Sequence, residues 1–562
     1  MDEQQSRRNF LKFSTLAGLG LTINPLSGHT SSDDEASFIP RKLNKGEERI
    51  TLLQTTDVHC QLHAHDELFW ENNQTVFRKN GGYGNLATYF KKARKANPNT
   101  FIIDTGDMFQ GSQLSVETTG RALIPVLNGL GYNLYIPGNW EVVYNKSNMM
   151  KLMGGLHAPT ICSNMYHDTG DGSKGDFIFP PYYTWHAAGV KIGFLAYTDP
   201  LVPIRQSPDY SKGIVYTHPE ENLAKYVKIL REQEQCDFVI LLSHLGLSQQ
   251  LALADHESAK GIDYIFGGDT HERVRKPIQG KYCKVVEPGA FGSFVGRLDL
   301  IVENGKIVGE EYVLDEVNDS RFKADRAVEE IIARNEQPFS ADITRIVGYS
   351  TIPLYRYFVV ENPIDTLVID ALMWKIKPDI VLSNGFRFCP PNSTRDATGN
   401  IPITRGYVYD MLPVDSVVRT GKVTGRQLWN WLEKELNNVF AKDASKRLGG
   451  WVVKFKGMVV EFKAFAAFGE RVQSVMVNGE PINMEKVYSI SACEREGDPP
   501  DMLCRMPNVM DPANTPYTLH DVMLEYLAKN SPVTPEPEGN AIILDAPSTM
   551  LTQVYGVDYS FE

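Results

Sequence analysis

The sequence predicts an α/β domain followed by an α+β domain, and three observations predict it. Between residues 48 and 320, short β-branched runs alternate with amphipathic helical stretches, as in a sheet with crossover helices. A charged stretch, 322–337, then reads as a linker helix. From residue 346 the texture changes to a second α+β unit. The predicted organisation is a leader and tail at 1–40, a first domain at 45–320, a linker helix at 321–345 and a second domain at 346–550.

Element by element, residues 50–54, 100–104, 134–137, 191–197, 237–242 and 262–266 read as strands. Residues 85–96 and 222–233 read as helices. In the second of these, Leu223, Tyr226, Val227 and Leu230 recur at helical spacing, which marks a packed face. The second domain carries a helix at 425–439, a β-rich run at 451–462 and a hairpin-like turn at Asn478-Gly479.

At 562 residues, 42% hydrophobic and 22% charged, the chain has ordinary globular composition and room for at least two domains. Its net charge is −12 and no long Lys/Arg block occurs, which argues against nucleic acid or an anionic membrane as partner. An anionic substrate stays open, because a metal site supplies positive charge locally. No apolar run reaches the roughly 18–20 residues of a transmembrane helix. The N-terminus, Ser6-Arg7-Arg8-Asn9-Phe10-Leu11-Lys12 followed by a mildly apolar stretch at 13–26, has the pattern of a twin-arginine signal. Export or a periplasmic location is therefore expected. Seven cysteines, from Cys60 to Cys504, show no C-x-x-C pair and match neither a zinc ribbon nor a disulfide framework. None is a candidate nucleophile.

The informative feature is where His, Asp and Asn fall. Asp57-Val58-His59 follows the first strand, Gly106-Asp107 the second and Gly138-Asn139 the third. His244 ends a later strand, and Gly268-Asp269-Thr270-His271 follows the last. Each group sits past the carboxyl end of a strand, where open α/β sheets converge on one ligand crevice. One such motif means little; five in this order point to one metal centre.

The order D-x-H, G-D, G-N, H, G-x-x-H resembles the calcineurin-like metallophosphoesterases, and Gly106-Asp107-Met108-Phe109-Gln110-Gly111 resembles their G-D-x-x-Q-G block. Asn384-Gly385-Phe386-Arg387 and the stretch 423–428 are similar to the 5′-nucleotidase C-terminal domain. The resemblance covers residues 48–545. It implies a four-layer αββα catalytic domain followed by an α+β substrate-binding domain. It also implies two divalent ions, with Asp57, His59 and His271 on one, Asn139 and His244 on the other, and Asp107 between them. Mixed oxygen and imidazole donors suit Mn²⁺, with Zn²⁺ or Fe as alternatives. Two such ions share a hydroxide nucleophile and stabilise both reacting oxygens. Arg387 would clamp the substrate anion through its guanidinium fork.

Two positions depart from that pattern. Asp269 stands where the family has a histidine, either as a carboxylate ligand or as a partner orienting His271. Trp140 stands where G-N-H-[DE] has the His that protonates the leaving oxygen, and an indole donates a hydrogen bond but no proton. The late stretch 490–500 lacks the aromatics that hold a nucleobase in the nucleotidases, and Trp451 reads as a core residue, with stacking on a base as the alternative. His63 and His65 read as loop residues at the pocket rim.

Trp140, the G-F-R block, Tyr355-Arg356, the stretch 362–372 and the twin-arginine start are similar instead to the thiosulfohydrolase branch of the superfamily. That resemblance implies hydrolysis of a sulfonate on a partner protein's cysteine. Three readings follow. One is a thiosulfohydrolase-like enzyme in which Asp107, Trp140 and Arg387 serve the reaction. The second is a periplasmic 5′-nucleotidase acting on a small anionic ester. The third is a metal-binding protein whose catalysis is weak or lost.

Overall fold

Two sheets face each other in the first lobe. The computed structural model describes residues 42–560 apart from 384–388, 494, 496, 553, 555 and 556, so the predicted export signal and Arg387 lie outside the described residues. The strands that matter are β1 (Glu47–Thr55), β2 (Thr100–Asp104), β3 (Leu134–Tyr135), β4 (Tyr182–Ala187), β5 (Val190–Thr198), β6 (Phe238–His244), β7 (Tyr264–Phe266), β8 (Ile278–Gln279), β9 (Lys284–Val286), β10 (Phe294–Glu303) and β11 (Lys306–Glu316). One sheet runs β11-β10-β1-β2-β3 and the other β8-β9-β7-β6-β5-β4. β1, β2 and β3 pair in parallel, as do β5, β6, β7 and β9, so their carboxyl ends point the same way within each sheet.

The layer between the sheets is apolar. Ile50, Leu52, Phe101 and Ile103 meet Phe194, Ile240, Leu242 and Phe266 there, all fully or almost fully buried. Helices α1 (Tyr83–Ala96) and α2 (Ile124–Leu130) flank the first sheet, and α3 (Leu223–Lys228) and α4 (Leu247–Asp255) pack against the second. The four layers are α, β, β, α.

Three boundaries differ from the sequence pattern for local reasons. The strand expected at 134–137 stops at Tyr135, because Ile136 N turns to Asp104 O and Pro137 has no N–H to continue the ladder. The helix expected at 222–233 runs as α3 and then widens over Ile229–Gln233, where Glu234 N bonds Ile229 O. A hairpin, His65–Glu71 with Gln74–Asn80, was invisible in the pattern because its outer strand is mostly polar.

The second lobe follows helix α5 (Arg326–Glu336), which docks on α1 and α2 through its buried Val328 and Ile332. Its sheet contains β12 (Ile380–Ser383), β13 (Val417–Thr424), β14 (Lys454–Lys456), β15 (Val487–Cys493) and β16 (Met510–Thr518), in the order β14-β12-β15-β13-β16. Helix α6 (Pro363–Ile376) covers one part of it, and α7 (Gly425–Phe440) packs by Leu428, Trp431, Leu432 and Leu436. Thr424 and Gln427 form a capping box at the start of α7. The chain then returns to the first lobe, where Leu551, Val554 and Tyr559 join its core.

Candidate metal centre and interlobe cavity

The predicted donors converge. Asp57 and His59 follow β1, Asp107 follows β2, Asn139 follows β3, His244 closes β6 and Asp269 and His271 follow β7. All seven side chains lie inside the protein or at the cavity wall. Asp57 Oδ1 is 3.3 Å from His271 Nε2 and 3.8 Å from His59 Nε2. The two imidazole Nε2 atoms stand 3.2 Å apart. On the other side Asp107 Oδ2 lies 3.2 Å from His244 Nε2. Two donor groups result, Asp57 with His59 and His271, and Asp57 with Asp107 and His244.

Hydrogen bonds lock one end of four of these donors and leave the other facing the cluster. Asp57 Oδ2 accepts Thr56 Oγ1 at 2.6 Å and Asp269 N at 3.0 Å, so Oδ1 is the open oxygen. Asp107 Oδ1 accepts Trp140 N at 2.8 Å, so Oδ2 is open. His59 Nδ1 donates to Gln110 O and His244 Nδ1 to Thr105 O, which presents Nε2 inward. Asp57 Oδ1, Asn139 Oδ1 and His244 Nε2 are buried and make no hydrogen bond among the described residues. Buried polar atoms normally find partners, and three orphans beside two carboxylates and three imidazoles are what divalent ions satisfy. The residues fit a metal centre.

The electrostatics agree. Burial would raise the Asp57 carboxyl, but His244, His271 and His59 outweigh it and hold the group well below the usual carboxylate range. Burial pushes the His59 imidazole down to about 4 against the pull of Asp107. Glu141, sealed at 1% exposure, accepts Gly138 N, Asp107 N and Met108 N, so one carboxylate ties the loop after β2 to the loop after β3.

The backbone here is strained. Asp57, His59, Asp107, Asp269 and His271 all have φ between 48° and 87°, the left-handed region that side chains with a Cβ avoid. Close approach explains two neighbouring glycines: a Cβ on Gly138 would sit 2.2 Å from Asp107 Oδ1, and one on Gly268 would sit 2.2 Å from Thr56 Oγ1.

A cavity of about 180 Å³ opens from this centre to the second lobe. Asp107, Asn139, Trp140, Asp269 and His271 form its floor, and Ser383, Trp451, Cys493 and Arg505 lie on the facing wall. Half-buried Trp451 is thus a cavity residue rather than the core tryptophan its sequence context suggested. His63 pairs with Glu336, and His65 bonds Ser293 Oγ and meets Phe291 edge-on. Asp269 bonds Asn139 and Arg205. Sequence reasoning missed Arg205, Gln206, Arg495 and Arg505 in the cavity, because no motif marks them. All seven cysteines are free thiols.

Residues 50–273 match the calcineurin-like phosphoesterase family, and residues 346–492 match the 5′-nucleotidase C-terminal domain. The chain thus carries a calcineurin-like phosphoesterase domain followed by a 5′-nucleotidase C-terminal domain. It is 22% identical over 538 residues to a 5′-nucleotidase of Vibrio cholerae, across 86% of this chain and 91% of that one. Two Bacillus subtilis proteins, the endonuclease YhcR and the trifunctional nucleotide phosphoesterase YfkN, are 22% and 24% identical over 82% and 80% of this chain. The chain spans 38% of the first and 33% of the second. Among solved structures it is similar to the sulfate thiohydrolase SoxB of Thermus thermophilus, with a TM-score of 0.77 at 21% identity, over 90% of this chain and 98% of that one. A 5′-nucleotidase precursor, also of Thermus thermophilus, gives 0.75 at 21% identity, over 89% and 100%. Both share the fold. No helix among the described residues is long and apolar enough to cross a membrane.

Proposed function

We propose that this chain is an exported two-metal hydrolase that cleaves a cysteine S-sulfonate, releasing sulfate and leaving a thiol. The observation that carries the reading is Trp140. Its main-chain N–H fixes Asp107 Oδ1, and its half-buried ring lies on the cavity wall beside Asn139. An indole cannot protonate a leaving group. A phosphomonoester leaves as an alkoxide and needs that proton. A cysteine thiolate, with a conjugate acid near pKa ~8.5, leaves without it. In the reaction the sulfur–sulfur bond breaks, a sulfur–oxygen bond forms from water, and the water's protons end on the thiol and in solvent.

Two divalent ions, Mn²⁺ in this reading, would supply water activation and positive charge against the sulfonate. Asp57, His59 and His271 would hold one and Asn139 and His244 the other, with Asp107 available to both. Arg387 is the proposed anion clamp. The SoxB likeness supports the reading at the level of fold, and the twin-arginine pattern supports export.

A 5′-nucleotidase is the second reading, favoured by the place of Trp451, whose ring faces the cavity where a nucleobase would stack. Side-by-side assays of the Mn²⁺-loaded chain decide between them. Sulfate from an S-sulfonated cysteine peptide, with no phosphate from AMP, is the expected result, and Trp140→His should raise AMP turnover by about 10²-fold. Phosphate release alone from the parent chain would assign it to the nucleotidases.

A further inference from the structure

Arg205 lies at the end of the single turn Val202–Arg205, within the cavity wall. Its Nη1 donates to Asp199 Oδ2 at 2.7 Å and to Asp269 Oδ2 at 3.1 Å, while its Nη2 lies 3.0 Å from Asp269 Oδ1. The fork grips Asp269 by both oxygens, the strongest geometry available to a carboxylate and an arginine. Asp199 is itself fixed by Leu201 N at 2.9 Å. The side chains of Asp199 and Asp269 are 4% and 5% exposed, and Arg205, on the cavity wall, is 17% exposed.

Among the described residues the Asp269 carboxylate has one further hydrogen-bond partner. Its Oδ1 accepts Asn139 Nδ2 at 3.1 Å. That bond fixes which end of the Asn139 amide faces which way, and the opposite end, Oδ1, is the buried oxygen with no hydrogen-bond partner. His244 Nε2, the neighbouring donor of the same group, is also without one. An oxygen held open in this way is a ligand aimed by the residue behind it. Asp269 Oδ1 is already engaged by a guanidinium and an amide, and Oδ2 by the same guanidinium.

We propose that Arg205 and Asp269 are positioning residues for the second ion: Arg205 clamps Asp269, Asp269 aims the Asn139 amide oxygen, and Asp269 does not itself coordinate. This rests on the two-ion reading above and is independent of whether sulfur or phosphorus is the substrate atom. It replaces a ligand by a strut at the position where the family resemblance places a ligand.

Because the two residues act through Asn139, their effects on metal binding must be non-additive with its loss. Mn²⁺ titration of the full chain, followed by calorimetry and by electron paramagnetic resonance of the coupled ions, reads this directly. Asp269→Ala and Arg205→Met should each weaken the second ion by about 10- to 100-fold. In an Asn139→Ala background neither should weaken it further by more than about threefold, within the tolerance expected of a silent partner. Asp269→Asn, whose amide oxygen still accepts from Asn139, should keep both ions and the coupled signal even if the Asn139→Ala affinity falls below detection. The first ion's affinity serves as the folding control in every variant. Additive losses, or disappearance of the second ion in Asp269→Asn, would make Asp269 a direct ligand and overturn the proposal alone. A parent chain that takes up a single ion would overturn the two-ion reading with it.

Discussion

Removing the charge of Glu141 tests whether one buried carboxylate assembles the metal centre. Its Oε2 accepts Gly138 N at 2.6 Å and Asp107 N at 3.0 Å, and its Oε1 accepts Met108 N at 2.7 Å. Glu141→Gln keeps the shape but has only one acceptor oxygen. Placed on the Oε2 side, that oxygen keeps two bonds and sets an NH₂ group against the Met108 N–H. The lost charge-assisted bond costs about 1.5–3 kcal/mol, and the two retained bonds weaken when the carboxylate becomes an amide. Against this, the variant removes a like charge beside Asp107, which contributes to raising the Glu141 carboxyl after burial itself. The balance is a loss of about 2–3 kcal/mol of stability. The same change loosens the loops carrying Asp107 and Asn139, so Mn²⁺ affinity should fall by about 10- to 100-fold. Urea unfolding of the metal-free chain gives the first quantity and Mn²⁺ calorimetry the second. Unchanged metal affinity would refute the assembly role whatever happens to stability, and no change in either would refute the hydrogen-bond account.

Three further outcomes follow from contacts between the lobes and at the rim. Arg273, 2% exposed, donates Nη2 to Glu67 Oε1 at 2.6 Å and Nη1 to Leu68 O, and Tyr357 of the second lobe also bonds Glu67. Arg273→Met should cost about 3–5 kcal/mol by leaving Glu67 buried without its cation, and adding Glu67→Gln should recover most of it; an equally unstable double variant would refute the pairing. Tyr559 OH donates to the buried Glu272 Oε2 at 2.6 Å, and its carbonyl accepts Arg275 N. Tyr559→Phe should cost about 1–3 kcal/mol in urea unfolding, and a neutral result would mean the returning tail does not tie the lobes. The His63 imidazole is raised above its ordinary 6.5 chiefly by its hydrogen bond to Glu336. Its contribution is therefore complete below pH 6.5 and lost as pH rises through the raised value. With the ring 57% exposed the effect is a few tenths of a kcal/mol, so His63→Gln should slightly flatten the stability profile across that window, and an unaltered profile would deny the pair any weight.

The convergence of these side chains was legible because each follows a strand end, and a strand end is a local feature. β1, β2, β6 and β7 bring Asp57, Asp107, His244 and His271 together with no information beyond the parallel pairing of two sheets. What could not be read depends on contacts between distant segments. Arg205 reaches Asp269 across 64 positions, and Tyr357 reaches Glu67 across 290. No periodicity encodes such a pair. Trp451 was misplaced for a related reason: an aromatic beside a β-rich run looks like core until the facing lobe supplies a cavity. The left-handed backbone at four candidate donors and at Asp269 was equally hidden, since none of the five is a glycine, the residue that marks it most plainly.

That strain and the arginine-held carboxylate belong to one argument about how this site is built. The donors cluster two carboxylates and three imidazoles within a few ångströms, an arrangement costly to hold without ions. The chain holds it by fixing the outer end of five of the six candidate donors: Thr56 and Asp269 N on Asp57, Trp140 N on Asp107, main-chain carbonyls on His59 and His244, and Asp269 on Asn139. Glu141 ties two of the loops together, and Arg205 pins the strut behind Asn139 on one of them. Trp140 takes part through its main-chain N–H, which any residue at that position would supply, so the side chain there is free to vary. A tryptophan can therefore replace a proton donor without disturbing the metal centre, and the consequence falls on the leaving group alone. That is why the choice between a thiolate and an alkoxide product, rather than the ability to bind metal, is the property this position should decide.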